Sequence, residues 1–156
     1  MTWLPESATG TTPLARAFGL RPDLFAACGD FAGLFWEKRL VEPTLLELCR
    51  VRVGQMIGTE LPAFCDAMRD ARAAVPAAKL ADVAAWWNSA AFSDTERACL
   101  RFAEQFVLDP KGIGDNDAAA VVAALGDAGT VAFVEALAIL DGFSRFARFL
   151  GLGAES

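Results

Sequence analysis

The sequence has no histidine and no tyrosine among its 156 residues. Histidine is the commonest general base and metal ligand, so its absence excludes Ser–His and Cys–His catalysis and imidazole-bound metals. The four cysteines stand at positions 28, 49, 65 and 99, which leaves no Cys-x-x-Cys pair for a zinc ribbon or a dithiol couple. We therefore expect reduced structural thiols, no metal and no cofactor.

Basic side chains are also scarce. The 14 Lys and Arg residues are outnumbered by 20 Asp and Glu residues, which gives a formal net charge of −6. Such a chain has no basic excess with which to displace counterions from a polyphosphate, so nucleic acid is not an expected partner. The sequence shows neither a signal-peptide pattern nor an uninterrupted run of about 18 apolar residues. We expect a soluble cytoplasmic protein that does not bind membranes.

Helix-forming residues dominate what remains. Ala, Leu, Glu and Arg are frequent, apolar residues recur every three or four positions, and strand patterns are absent. The pattern predicts an all-α fold, a single-domain bundle of six or seven helices. Residues 1–20 place proline and glycine among Ser and Thr, which predicts an irregular lead-in to a helical domain over 21–152. The predicted helices cover 22–38, 43–58, 60–74, 77–88, 93–107, 115–125 and 129–150.

Several helix boundaries have a local cause. Ser93 is followed three residues later by Glu96, the spacing of a capping box. Thr59 is the predicted N-cap of the third helix, with Pro62 in its first turn, where proline is tolerated. Gly126–Gly129 is predicted to separate the last two helices.

Predicted helix 43–58 carries an unusual stripe at three-and-four spacing, which includes Glu47, Gly54 and Gly58. Glycine inside a helix costs about 1 kcal/mol relative to alanine, so two on one face indicate that another backbone or a ligand approaches closely. Two interpretations remain open. The stripe could be a helix-packing face with Glu47 paired to Arg50, or Glu47 could lie at the rim of a pocket.

Short phrases with a characteristic order cover about residues 20–150. They are RPDL at 21–24, ELCRVRV at 47–53, QMIG at 55–58, WW at 86–87, FSDTERA at 92–98 and FSRF at 143–146. Their order and spacing resemble the carboxymuconolactone decarboxylase-like family, which includes the alkylhydroperoxidase D-like (AhpD-like) proteins. The resemblance implies the helical bundle of that family and a homo-oligomer, a dimer or higher. Aromatic residues offer candidate interfaces for it: Trp86, Trp87, Phe143 and Phe146.

Peroxidase members of that family are thiol oxidoreductases built around Cys-x-x-Cys, a histidine four residues later, and a glutamate twelve residues before the first cysteine. A thiolate attacks the peroxide, a second thiol resolves the sulfenic acid, and the glutamate and histidine move protons. Counting forward from Glu47 places the two cysteines and the histidine at Thr59, Pro62 and Asp66. Counting back from the phrase at 69–72 places them at Glu60, Ala63 and Ala67. Neither register supplies a thiol or an imidazole.

The sequence therefore predicts a non-peroxidase binding or assembly scaffold that could hold a small apolar ligand. One alternative is an enzyme in which Glu47 and Asp66 form an acid–base pair on a small apolar substrate. Another is residual thiol peroxidase activity through Cys65, or through Cys49. The candidate pocket at the family site comprises Glu47, Gln55, Thr59, Glu60, Pro62, Ala63, Cys65, Asp66 and Ala67.

Overall fold

A computed structural model of the protein describes residues 12–63 and 65–152. In this part of the chain the backbone forms seven α-helices and two short 3₁₀ segments without any strand, which confirms the predicted all-α bundle. The helices are α1 (Pro13–Phe18), α2 (Pro22–Glu37), α3 (Pro43–Ile57), α4 (Asp66–Ala74), α5 (Ala77–Asp82), α6 (Asp94–Leu108) and α7 (Asp115–Phe149). The 3₁₀ segments are Val83–Asn88 and Pro110–Gly112.

Helix α3 is the centre of the bundle and packs against α4, α6 and α7. Its apolar side chains are buried together with those of α6 and α7, such as Leu100 and Phe133. Cys49 and Cys99 are buried in the same core. Burial raises the pKa of the Cys49 thiol well above its ordinary value and raises that of Cys99 to about 12. Both are therefore protonated, unreactive core residues.

The predicted helix signals are confirmed at two positions. The Ser93 hydroxyl accepts from the Glu96 N–H at 3.3 Å, and the Glu96 carboxylate accepts from the Ser93 N–H at 2.8 Å, which completes the capping box of α6. Inside α7 the helix breaks at Gly126, where φ is 70° and ψ is 172°. The break lies where the sequence predicts the boundary between its last two helices.

By length and composition alone, α7 could cross a membrane, because an 18-residue window reaches a mean hydropathy of 1.7. A core helix passes the same test, and Phe133, Leu137 and Leu140 of α7 are fully buried in the bundle. Only 17% of the window is buried, however, so much of the apolar surface of α7 faces outward. We interpret α7 as a core helix with an additional apolar outer face.

The irregular lead-in predicted for residues 1–20 is corrected within its described part. Helix α1 forms there because Pro13 suits a first helical position and the Thr12 hydroxyl accepts from the Ala15 N–H at 3.1 Å. Residues 1–11 lie outside the described residues. The predicted helix 77–88 is shorter than expected, since α5 ends at Asp82 and continues as a 3₁₀ segment with a non-helical Ala85.

The largest correction concerns the predicted helix 60–74, because α4 begins only at Asp66. Helix α3 ends at Ile57, and the left-handed conformation of the next residue, Gly58 (φ 75°), turns the chain away from the helix axis. Pro62 disfavours the helical conformation of the preceding Leu61, whose carbonyl instead accepts a hydrogen bond from Arg50. Residues 59–63 therefore cross the end of α3 as an irregular segment, here called the 59–63 segment.

Candidate functional site

A buried ion pair lies at the centre of the site. Glu47 is fully buried on α3, and Arg50, one helical turn later, donates through Nε and Nη2 to its two carboxylate oxygens, each at 2.7 Å. Arg50 also donates through Nη1 to the carbonyl of Leu61. Arg72 of α4 also approaches the carboxylate, with Nη1 3.7 Å from the Glu47 oxygen that accepts from Arg50 Nη2. The Glu47–Arg50 pairing is confirmed, and a second arginine joins it.

Next to this pair a cavity of about 370 Å³, here called the Arg72 cavity, opens between α3, the 59–63 segment and α4. Its walls are formed by Arg50, Val51, Gly54, Gln55, Gly58, Thr59, Glu60, Leu61 and Arg72. Glu47 lies behind Arg50 and Arg72 and is not itself part of the lining. An adjoining cavity of about 490 Å³ shares Arg50, Glu60, Leu61 and Arg72. It adds Thr12, Pro13, Leu14, Pro62, Ala63, Arg69 and Leu152.

The glycine stripe explains how the 59–63 segment reaches this position. The Thr59 N–H donates to the Gly54 carbonyl at 2.9 Å, and a Cβ added at Gly54 would lie 2.6 Å from the Thr59 carbonyl oxygen. No side chain fits into that space. The close backbone approach predicted from the two glycines is therefore confirmed at Gly54, whereas Gly58 is required for its positive φ.

Two polar groups that line the Arg72 cavity are buried without a hydrogen bond to any described residue. Thr59 is 7% exposed, and its hydroxyl has no partner. The buried Nη1 of Arg72 makes no hydrogen bond either, although it interacts electrostatically with Glu47 at 3.7 Å. Most buried polar groups in proteins are hydrogen-bonded. The cavity wall therefore offers two polar groups that a bound molecule could satisfy.

The structure brings together some of the sequence-predicted site residues and separates others. Gln55, Thr59 and Glu60 line the Arg72 cavity, and Pro62 and Ala63 line the adjoining one. Three others line neither cavity: Cys65, Asp66 and Ala67. The partly buried Ala67 packs against the core.

The prediction that Glu47 and Asp66 form an acid–base pair is wrong. The Asp66 side chain is 89% exposed at the start of α4 and pairs with Arg69 of the same helix, whereas Glu47 is fully buried. The prediction failed because it placed Asp66 inside a helix that began near Thr59. Because of the same error, the sequence analysis did not include Arg72 in the candidate site. Nothing in the sequence distinguishes Arg72 from the other charged residues of α4.

Cys65 lies at a different cavity, of about 420 Å³, which faces α2. The cavity also contains Asp30 and Glu37, and no basic residue is among its described lining residues. Reactive thiols usually lie beside a cation, so the local charge does not favour a reactive Cys65. All four cysteines are unbonded, and none lines the Arg72 cavity.

The aromatic residues predicted as candidate interfaces differ in their exposure. Trp86 is buried, with its indole N–H donating to Glu104 at 2.9 Å, so it belongs to the core. Trp87 is 50% exposed beside the Arg52 guanidinium, whereas Phe146 of α7 is 37% exposed. Homo-oligomer formation remains a prediction that the molecular mass in solution can test.

Comparisons with known proteins agree with this architecture. The fold matches the crystal structure of a protein of unknown function from Agrobacterium tumefaciens, provisionally described as the antioxidant defence protein AhpD, with a TM-score of 0.74 and 15% identity. The match covers 90% of this chain and 96% of that one. The uncharacterized Escherichia coli protein YnjA is 32% identical over 101 residues, which are 64% of this chain but only 56% of YnjA. No family model matches the chain. The protein therefore has an AhpD-like helical fold.

Proposed function

We propose that the protein is a carboxymuconolactone decarboxylase-like, AhpD-type protein that binds a small molecule in the Arg72 cavity and does not carry out dithiol peroxidase chemistry. The observation that carries this proposal is the composition of the cavity wall. It contains guanidinium groups, a buried threonine hydroxyl and a carboxylate, but no cysteine among the described lining residues.

A peroxidase of this kind needs a thiolate that attacks the peroxide and a second thiol that restores it. None of the groups in the cavity wall undergoes such reversible two-electron oxidation. Glu47 does not line the cavity, and Arg50 donates to both of its oxygens, so Glu47 is not placed to exchange a proton with a bound molecule. The residues that remain are suited to binding.

Hydroperoxide consumption with a dithiol donor tests the loss of peroxidase activity. We expect the wild-type protein and Cys65→Ser to show the same background rate. Cys28→Ser is the matched control, since Cys28 is another partly buried free thiol, in a cavity between α2 and α7. Turnover that Cys65→Ser abolishes and Cys28→Ser retains would contradict the proposal.

The binding function needs a separate measurement. A fragment library screened by protein NMR should shift the backbone amide signals of residues 54–61, which form much of the cavity wall. Signals from residues that line neither cavity, such as the Ser93–Glu96 capping box, should stay in place. If no fragment shifts the 54–61 signals of the folded protein, the proposed binding function is wrong.

A further inference from the structure

Building on the proposed binding function, we propose that the ligand of the Arg72 cavity is a small carboxylic acid with an apolar body. The structure assigns Arg72 and the Thr59 hydroxyl as the groups that hold its carboxylate. Two independent observations support the assignment, one from charge and one from hydrogen bonding. The volume and lining of the adjoining cavity then indicate which kind of group carries the carboxylate.

The charge argument begins with the buried pair. Glu47 is matched by Arg50, whose Nε and Nη2 donate to the carboxylate while Nη1 donates to the Leu61 carbonyl. Each of the three Arg50 guanidinium nitrogens therefore already donates a hydrogen bond within the protein. Arg72 brings a second guanidinium to the same carboxylate, at 3.7 Å and without a hydrogen bond. Two positive charges facing one negative charge leave an excess that an anion in the cavity would neutralise.

Other charged groups near Arg72 do not remove this excess. Glu60 also lines the cavity, but it is exposed and forms no ion pair with Arg50 or Arg72, which both pair with Glu47. Arg69 lines the adjoining cavity, but it lies one turn earlier on α4 and is paired there with the exposed Asp66. The Arg72 side chain is 40% exposed, so its guanidinium can contact Glu47 and still meet a ligand from the cavity side.

The hydrogen-bonding argument is independent of charge. The Thr59 hydroxyl is buried in the cavity wall and has no partner among the described residues. A hydroxyl can donate one hydrogen bond, and a guanidinium presents several donors in one plane. A carboxylate has two oxygens that accept from both kinds of donor, and Arg–carboxylate bonds are charge-assisted and directional. A carboxylate between Arg72 and Thr59 would satisfy both groups.

The adjoining cavity accounts for the rest of the ligand. It shares Arg72 with the Arg72 cavity and is lined mainly by apolar groups, among them Leu14, Pro62, Ala63 and Leu152. Its volume of about 490 Å³ is within the usual range of small-molecule sites. An acid whose carboxylate lies at Arg72 can extend an apolar body into this space. Inorganic phosphate would fill only the charged part.

Titration of three probes tests the inference: sodium benzoate, its uncharged isostere benzamide, and inorganic phosphate. We expect benzoate to bind about tenfold or more tightly than benzamide, because charge-assisted hydrogen bonds are worth more than neutral ones. Phosphate should bind more weakly than benzoate, and added NaCl should weaken benzoate binding. Phosphate binding equal to or tighter than benzoate binding would show that the apolar part of the ligand is wrongly assigned.

Variants identify the atoms responsible. Arg72→Ala should weaken benzoate binding about tenfold or more and Thr59→Val by a few fold, while Arg72→Lys keeps part of the affinity. Arg101→Ala is the matched control, since Arg101 is an exposed arginine of α6 that pairs with Asp117 and lines neither cavity, and it should change the affinity less than about twofold. Glu60→Gln removes a rim carboxylate and should tighten binding, so it remains informative if Arg72→Ala fails to fold. Equal losses for Arg101→Ala and Arg72→Ala would overturn the assignment.

The outcomes separate this inference from the proposed function. If benzamide and benzoate bind equally at residues 54–61 and Arg72→Ala affects neither, the carboxylate assignment is wrong while small-molecule binding stands. If the folded protein binds neither probe nor any library fragment there, the proposed function itself fails.

Discussion

Two acidic–arginine pairs, Glu47–Arg50 on α3 and Asp66–Arg69 on α4, share the same i,i+3 spacing but differ completely in environment. The side chains of the first pair are 0% and 8% exposed, whereas those of the second are 89% and 58% exposed. The chemistry is alike, so the difference comes from position: α3 is the central helix, while α4 begins at the surface. Burial, and not spacing, decides which pair shapes a site.

The comparison also changes the role of Glu47. In the buried pair each partner is held by several bonds, and Arg50 connects α3 to the 59–63 segment through the Leu61 carbonyl. The attraction within a buried ion pair offsets the free-energy cost of desolvating both charges only when such additional hydrogen bonds are made. The Glu47–Arg50 pair therefore supports the cavity wall, and Arg72 remains the group that can respond to a ligand.

The sharpest test of this comparison is Glu47→Ala, which leaves the Arg50 and Arg72 guanidinium groups without their buried counter-charge. Removing one partner of a buried pair costs about 3–5 kcal/mol, so we expect the free energy of unfolding to fall by that amount in urea denaturation. Asp66→Ala is the matched control and should cost about 1 kcal/mol at most, from a surface pair and a helix terminus. Similar losses for the two variants would refute the distinction.

Sequence reasoning succeeded where a feature depends on local spacing. The Glu47–Arg50 pair and the close approach at Gly54 follow from positions along a single helix. It failed where a feature depends on the path between helices. Pro62 is as compatible with a first helical turn as with an irregular segment, and the Arg50 bond to the Leu61 carbonyl, eleven residues away, decides between them. The pairing of Arg72 with Glu47 follows from that path and has no local sequence signal.

A second, smaller effect tests how tightly the 59–63 segment closes over α3. In Gly54→Ala the new methyl group would lie 2.6 Å from the Thr59 carbonyl oxygen, so the segment must move. We expect a loss of about 1–3 kcal/mol in the free energy of unfolding, typical of overpacking. Gly29→Ala is the control: its Cβ meets nothing within 4 Å and it lies inside α2, so the change should be neutral or stabilising. If Gly54→Ala left the free energy of unfolding unchanged, the 59–63 segment would have to move at little energetic cost.

The smallest expected effect concerns a pair of intermediate burial. Lys79 and Glu96 are 21% and 13% exposed, and the ammonium donates to both carboxylate oxygens at 2.6 and 2.7 Å. Burial acts to raise the pKa of Glu96, but the hydrogen bonds from Lys79 and Ser93 outweigh it and hold the pKa below the ordinary 4.5. Because the folded-state pKa is lowered, this stabilisation is present above about pH 4.5 and is lost as the pH falls through the folded-state value.

Comparing Glu96→Gln with the wild type across pH measures this contribution. At neutral pH we expect the variant to be less stable by about 0.5–1.5 kcal/mol, between the buried and exposed pairs, and the difference to shrink below about pH 4.5 as the wild-type carboxylate takes up its proton. Glutamine keeps an oxygen that can accept from the Ser93 N–H, so the change isolates the charge. A difference that stays constant through the acid range would mean that capping, and not the Lys79 charge, stabilises the start of α6.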